Sequence, residues 1–316
     1  MSNQELTHIS SSPHAHSKST TSHIMLMVVI ALLIPAAFGV YNFGPRAFWI
    51  LLISVVSSVL FELFTELLLR KKITIFDCSA IVTGLLLGMN LPATVPFWLP
   101  VVGAFFAIVI VKQLFGGLGQ NFMNPALAAR CFLLISFASQ MTNFEIDAYT
   151  GATPLQVIKN GGNVVLIDMI WGNTAGCIGE TSTFAILIGA IVLMLFGIID
   201  GIIPFTYIVS FVLFLVLFSG RGFDFNYIAE QLAGGGLMLG AFFMATDYVT
   251  RPIRKKGQFF YGIILGFLTV IFRLFSQSAE GVSFAIIIGN LLVPLIEKMC
   301  VTKPFGVRRV KKHDNR

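Results

Sequence analysis

Apolar residues fill seven long runs along the chain, at about 24–43, 47–69, 96–115, 183–199, 202–219, 258–276 and 283–301. Each approaches the roughly 20 residues that a helix needs to cross a hydrocarbon core, so each predicts a spanning helix. Three further segments are irregular. Residues 73–91 and 228–246 reach spanning length only if Asp77 and Glu230 are taken inside, and both contain glycines expected to break them. Residues 124–138 would give a helix of about 22 Å, short of a core of roughly 30 Å. Lipid cannot satisfy irregular backbone, so these three are expected as discontinuous or tilted helices packed within protein. The fold class that follows is an all-α polytopic membrane protein of about ten segments.

The irregular segments carry an internal echo. Gly84-Leu85-Leu86-Leu87-Gly88 recurs as Gly236-Leu237-Met238-Leu239-Gly240, with Asp77 and Glu230 preceding them, and Gln113-Leu114-Phe115 recurs as Arg273-Leu274-Phe275. Aligned in this way the chain has two five-segment repeats, 24–138 and 183–301. An odd number of crossings per repeat turns the second copy upside down. Such repeats bring their broken helices together near the midplane, where sites are built.

Composition agrees and narrows the chemistry. Charged residues are 11% of the chain, hydrophobic residues 56%, and mean hydropathy is +0.86; soluble domains carry about 25% charge. The net charge of +6 reflects basic residues at the ends of apolar runs, with no aromatic-interleaved patch of the kind that binds nucleic acid. Sixteen of the 21 Lys and Arg residues fall on one side if the N-terminus is cytoplasmic, among them Arg70, Lys71, Lys112, Arg251, Arg254, Lys255, Lys256 and Lys298. Arg46, Lys159 and Arg221 fall on the other, and Arg130 and Arg273 lie in or at the edge of segments. By the positive-inside rule both termini are cytoplasmic. Residues 1–23, polar and without an apolar stretch, read as a disordered cytoplasmic tail, and 302–316 as a basic one. All five histidines lie in the tails, which removes bis-His haem, and the four cysteines are far apart, which argues against an iron–sulfur cluster or structural zinc held by this chain alone.

The longest connection, residues 139–182, is then extracytoplasmic, and long loops in compact proteins are usually functional or disordered. It contains Asp147-Ala148-Tyr149-Thr150-Gly151-Ala152-Thr153-Pro154-Leu155. That stretch resembles the D-x-x-[ST]-G-A-T motif at which FMN is joined through its phosphate to the last threonine. Further stretches share the likeness: Gly116-Gly117-Leu118-Gly119-Gln120-Asn121 running into Asn124-Pro125-Ala126, then Gly179-Glu180-Thr181-Ser182, Ala245-Thr246-Asp247-Tyr248-Val249-Thr250-Arg251-Pro252 and Glu280-Gly281-Val282-Ser283-Phe284-Ala285. Over about residues 24–305 the chain resembles the family of Rnf electron-transport D subunits and sodium-pumping NADH:quinone reductase B subunits.

The resemblance implies a membrane electron-carrier subunit of a ferredoxin:NAD oxidoreductase that moves Na+ or H+, a translocase component and phosphoprotein of the bacterial or archaeal inner membrane. It implies FMN on Thr153, with Asp147, Thr150, Gly151 and Ala152 around it. The small Gly151 and Ala152 keep bulk away from the hydroxyl, and Pro154 restrains the chain beyond it. A threonine hydroxyl is a weak nucleophile, so a flavin transferase is implied as a partner, together with other Rnf subunits, including a second covalent-flavin subunit and iron–sulfur membrane subunits. The related quinone-reductase subunit holds riboflavin, and Gly119, Asn121, Asn124 and Arg130 are the candidates here. Asn124-Pro125-Ala126 also has the form of a helix start, with Asn as cap and Pro in the first turn. Arg130, inside an apolar segment, needs a partner: Asp77, Glu230 or an anionic cofactor group. Two other classes remain open, a urea-channel-like solute channel and a structural anchor for redox subunits.

Overall fold

The computed structural model describes residues 20–71, 73–144, 152–276 and 281–301. Apolar sequence sets the architecture, because a helix is the open-ended element that closes its own backbone hydrogen bonds in lipid. Among the described residues, four helices are long and apolar enough to span: α1 (Thr21–Phe43), α2 (Pro45–Leu68), and, late in the chain, Lys255–Phe275 and Val282–Met299. Between them run α3 (Ser79–Met89), α4 (Trp98–Phe105, continued to Gln113 as a π-helical stretch), α5 (Pro125–Ser136), α6 (Pro154–Lys159) and α7 (Leu166–Trp171). Next come α8 (Thr183–Leu195), α9 (Ile202–Phe218), α10 (Phe225–Ala233) and α11 (Leu237–Leu239, continued to Met244 as a second π-helical stretch). The two long late helices are α12 and α13.

Setting aside the short α6 and α7, and taking α10 and α11 as the two pieces of one broken segment, leaves ten segments among the described residues, five in each half. The halves pack alike: α2 lies on α4 as α9 lies on α12, while α1 meets α8 and α5 meets α13 across the repeats. The chain is an all-α, multi-pass membrane protein, and observed segment limits fall within a few residues of the apolar runs. One end of the bundle carries Arg70, Lys71, Arg251, Arg254 and Lys298; the other carries α6, α7 and the turn at 219–225. We call these the basic end and the loop end.

Two features depart from the expectation for the glycine-broken segments. Gly84 and Gly88 do not break α3. They let it press onto α2, where a Cβ at Gly84 would stand 2.7 Å from Val55 Cα. The breaks in the first repeat lie on either side, at the left-handed Cys78 (φ 63°) and after Met89. In the second repeat the break does fall on glycine, at Gly235 and Gly236, both at φ 65°. A Cβ on Gly236 would also sit 2.6 Å from Glu180 Oε2. Gly236→Ala should therefore destabilise the protein by at least the 1–2 kcal/mol, roughly, that is typical of a left-handed non-glycine residue, read as a lower midpoint of thermal unfolding in detergent.

Asp77 and Glu230 do not enter the core. Both are partly exposed at segment ends, where Asp77 Oδ1 accepts from Ser79 N at 2.8 Å. Among the described residues, the carboxylates buried deepest are Glu62, Glu66 and Glu180.

The broken ends meet in the interior. Residues 89–92 pair with 177–179 through Gly179 N to Met89 O at 2.8 Å and Ile178 N to Leu91 O at 3.0 Å. Asn124 caps α5, its Oδ1 accepting from Ala126 N and Leu127 N, and its Nδ2 donates to Met244 O at 3.4 Å. The Asn-Pro-Ala stretch is thus a buried helix start tied to the end of the second π-helical stretch. Its repeat counterpart, Ser283-Phe284-Ala285, lies within the first turn of α13.

Candidate functional site

Thr153 sits at the N-cap of α6 in extended conformation, with Pro154 supplying the first helical residue and its preset φ. Its carbonyl accepts from Gln156 N and Val157 N. The side chain is buried, at 7% exposure, while Ala152 beside it is exposed. Asp147, Thr150 and Gly151 lie outside the described residues. Thr153 lines a cavity of about 20 Å³ together with Thr174, Glu180, Thr181, Gly234 and Gly235. That space suits about one water. The break of the second half and the long loop therefore converge on Thr153, a placement that the linear sequence does not show.

Glu180 joins this cavity to the protein's middle. Its Oε1 accepts from Cys177 N at 3.2 Å, and its Oε2 stands 3.9 Å from Arg130 Nη2. Arg130 also donates to Asn90 Oδ1 at 2.7 Å and to Cys177 Sγ at 3.5 Å. The guanidinium on α5 thus holds the end of α3 and the inward-folded stretch 177–180 together. Its carboxylate is Glu180, not Asp77 or Glu230. Those two sit at opposite ends of the bundle, whereas Glu180 is carried inward when Gly179 packs on Met89, so closely that a Cβ at Gly179 would collide with the methionine side chain. Replacing Arg130 with Gln strands a buried carboxylate. That should cost about 3–5 kcal/mol, measured by thermal unfolding, with Glu180→Gln in the same chain restoring much of it.

A second cavity, of about 80 Å³, opens between the repeats nearer the basic end. Its polar lining is Ser79, Thr83, Lys112, Asn121, Asn124, Thr246 and Asp247, set among apolar groups such as Leu86 and Phe243. Two of the four riboflavin candidates, Asn121 and Asn124, meet there. Arg130 belongs instead to the Glu180 cluster, and Gly119 lies in a left-handed turn (φ 91°) facing open space. Burial pushes the Asp247 carboxyl up, against the Val249 N–H, the Thr250 hydroxyl and Arg251, which pull it down. The two cavities share no lining residue.

Sequence reasoning misses the pair behind this cavity. The charge distribution counts Lys112 on the cytoplasmic side without giving it a partner, and the structure buries it to 2% exposure, with Nζ 2.5 Å from Glu62 Oε1 and 2.6 Å from Ser79 Oγ. Gln113 Nε2 donates to the same Glu62 oxygen at 3.1 Å. The available signal is Glu62 and Glu66, two carboxylates one helical turn apart inside an apolar run; residues so spaced share a helix face. Arg273 is the counterpart near the loop end, donating to the carbonyls of Gln231, Gly234 (2.9 Å) and Gly235 (3.3 Å). One cation thus secures each repeat's broken segment.

Residues 8–306 match the family described as NQR2, RnfD, RnfE. Three similar proteins, all D subunits of ion-translocating complexes, cover nearly the whole chain. The chain is 45% identical over 313 residues to that of the Na+-translocating ferredoxin:NAD+ oxidoreductase complex of Acetobacterium woodii, with 96% of each chain covered. It is 39% identical to that of the proton-translocating ferredoxin:NAD+ oxidoreductase complex of Clostridium ljungdahlii, covering 95% of this chain and 96% of that one. It is 33% identical to that of the ion-translocating oxidoreductase complex of Aliivibrio salmonicida, covering 95% and 99%. With its apolar helical segments in two halves, a buried asparagine-capped helix at their junction and near-complete coverage by these relatives, the chain belongs to the NQR2, RnfD, RnfE family.

Proposed function

We propose that this chain is a membrane electron-carrier subunit of an ion-translocating ferredoxin:NAD+ oxidoreductase complex, using FMN attached to Thr153. The observation that carries the reading is the D-A-Y-T-G-A-T stretch ending at Thr153 in a chain of this family, with Thr153 at the loop end beside the second break. In this reading the loop end is extracytoplasmic and the basic end cytoplasmic, as the lysine and arginine distribution favours. Bound flavin supplies one-electron exchange. The protein's own part is to fix the tether, which keeps the effective concentration of the ring high without relying on binding affinity. The 20 Å³ space beside Thr153 is too small for a three-ring system, so the ring belongs on the exposed side, where Ala152 is open and a partner redox subunit can reach it.

Thr153 is buried in the folded chain, so a flavin transferase reaches its hydroxyl only before α6 seats or after it lifts. Labelling during co-expression should therefore greatly outpace labelling of purified, folded chain, compared by flavin fluorescence in denaturing gels; equal rates would contradict this order. For the riboflavin that the resemblance implies, Asn121 and Asn124 offer paired donors and acceptors to a polar ring edge, and the 80 Å³ cavity must widen to receive it. A complex carrying Thr153→Ala should assemble yet lose ferredoxin-driven NAD+ reduction. Unchanged activity would overturn the electron-carrier reading in favour of the anchor, and loss of assembly would make Thr153 structural.

A further inference from the structure

The loop end holds a third cavity, of about 320 Å³, which the electron-carrier reading does not use. Its walls bring together cations from three elements: Lys159 at the end of α6, Arg221 in the turn between α9 and α10, and Arg273 in the last turn of α12. Ser219, Tyr227 and Gln231 add hydroxyl and amide groups. Basic residues are scarce at this end. The sequence places Arg46, Lys159 and Arg221 there, the structure adds Arg273 in the last turn of α12, and three of these four converge on one cavity.

Each cation is positioned by its surroundings. Arg273 is buried and hydrogen-bonded to the carbonyls at the second break, Arg221 lies 4.6 Å over the Tyr227 ring, and Lys159 donates to Ser276 O. Asp224 and Glu230 lie in the electrostatic neighbourhood of Arg221, and Glu180 stands beside Gly236 at the second break; Asp224 is engaged as the cap of α10, and none of the three lines the cavity. Exposed Phe218, Phe225 and Phe275 at helix ends and Phe223 in the turn between α9 and α10 give this end of the bundle apolar surface.

We infer that this cavity binds the phosphate headgroup of an anionic phospholipid from the leaflet at the loop end. Arginine forks and a lysine suit phosphate oxygens, and the exposed phenylalanines next to the lining residues in sequence offer acyl chains an apolar surface. Basic pockets between transmembrane helices hold anionic headgroups on the cytoplasmic side of membranes, and the same charge pairing serves at this end. The site would fasten α6, and with it Thr153, to α9, α10 and α12.

The test uses the full chain in nanodiscs of phosphatidylcholine, with or without phosphatidylglycerol, and in detergent with inorganic phosphate alone. Wild type should melt higher with phosphatidylglycerol and retain it in native mass spectrometry. Lys159→Gln with Arg221→Gln, both at exposed positions, should melt like wild type in phosphatidylcholine yet lose both effects; Arg221→Gln alone should lose them in part. Equal retention by wild type and the double variant would overturn the site. An equal shift from inorganic phosphate would overturn the lipid assignment in favour of a free-anion site. Neither readout depends on flavin.

Discussion

Thr153→Ala, co-expressed with a flavin transferase, should yield a chain of normal abundance and fold whose denatured band has no flavin fluorescence, where wild type glows. The effect is all-or-none because a phosphoester needs the oxygen that alanine lacks. Folding should survive, since Thr153 contributes to α6 through its carbonyl, which alanine keeps, and makes no side-chain capping bond. Persistent fluorescence in the variant would move the tether to another hydroxyl, Thr150 being nearest in the motif. A wild type that stays colourless beside an active transferase would favour the channel or anchor.

The second large effect is at the buried pair. Lys112→Ala leaves the Glu62 carboxylate, at 0% exposure, without its cation, and Glu62→Ala strands the ammonium. Breaking one partner of a buried pair costs about 3–5 kcal/mol, whereas replacing both with apolar groups of similar size is often close to neutral. Each single variant should therefore melt far below wild type, and Glu62→Leu with Lys112→Leu should recover most of the loss. The damage should centre on the start of α3, because Lys112 also holds Ser79 Oγ. Single variants costing under about 1 kcal/mol would show that water reaches the pair and screens it.

Much of the fold could be read from the sequence because a bilayer imposes one rule along the whole chain: apolar runs become helices, and their lengths set how far they cross. Asn124-Pro125-Ala126 was equally legible, since capping is a local matter of an asparagine oxygen and two N–H groups. Gln113-Leu114-Phe115 and its echo Arg273-Leu274-Phe275 lie beside two cations of like use: Lys112, next to Gln113, and Arg273 each hold a helix break. Pairings set by tertiary packing were not legible. Arg130 finds Glu180, 50 positions along, because a glycine contact folds residues 177–180 inward. Lys112 finds Glu62 because α2 and α4 pack side by side. In the same way, Gly84 and Gly88 read as breaks in one dimension and act as contact points in three.

Mass spectrometry of the tryptic peptide spanning residues 131–159, from chain made in its native host, reads the bond between Thr153 and a flavin phosphate itself. The peptide should be heavier by FMN less one water, with fragment ions placing the addition on Thr153. An unmodified peptide, or an addition on any other residue, would rule that bond out.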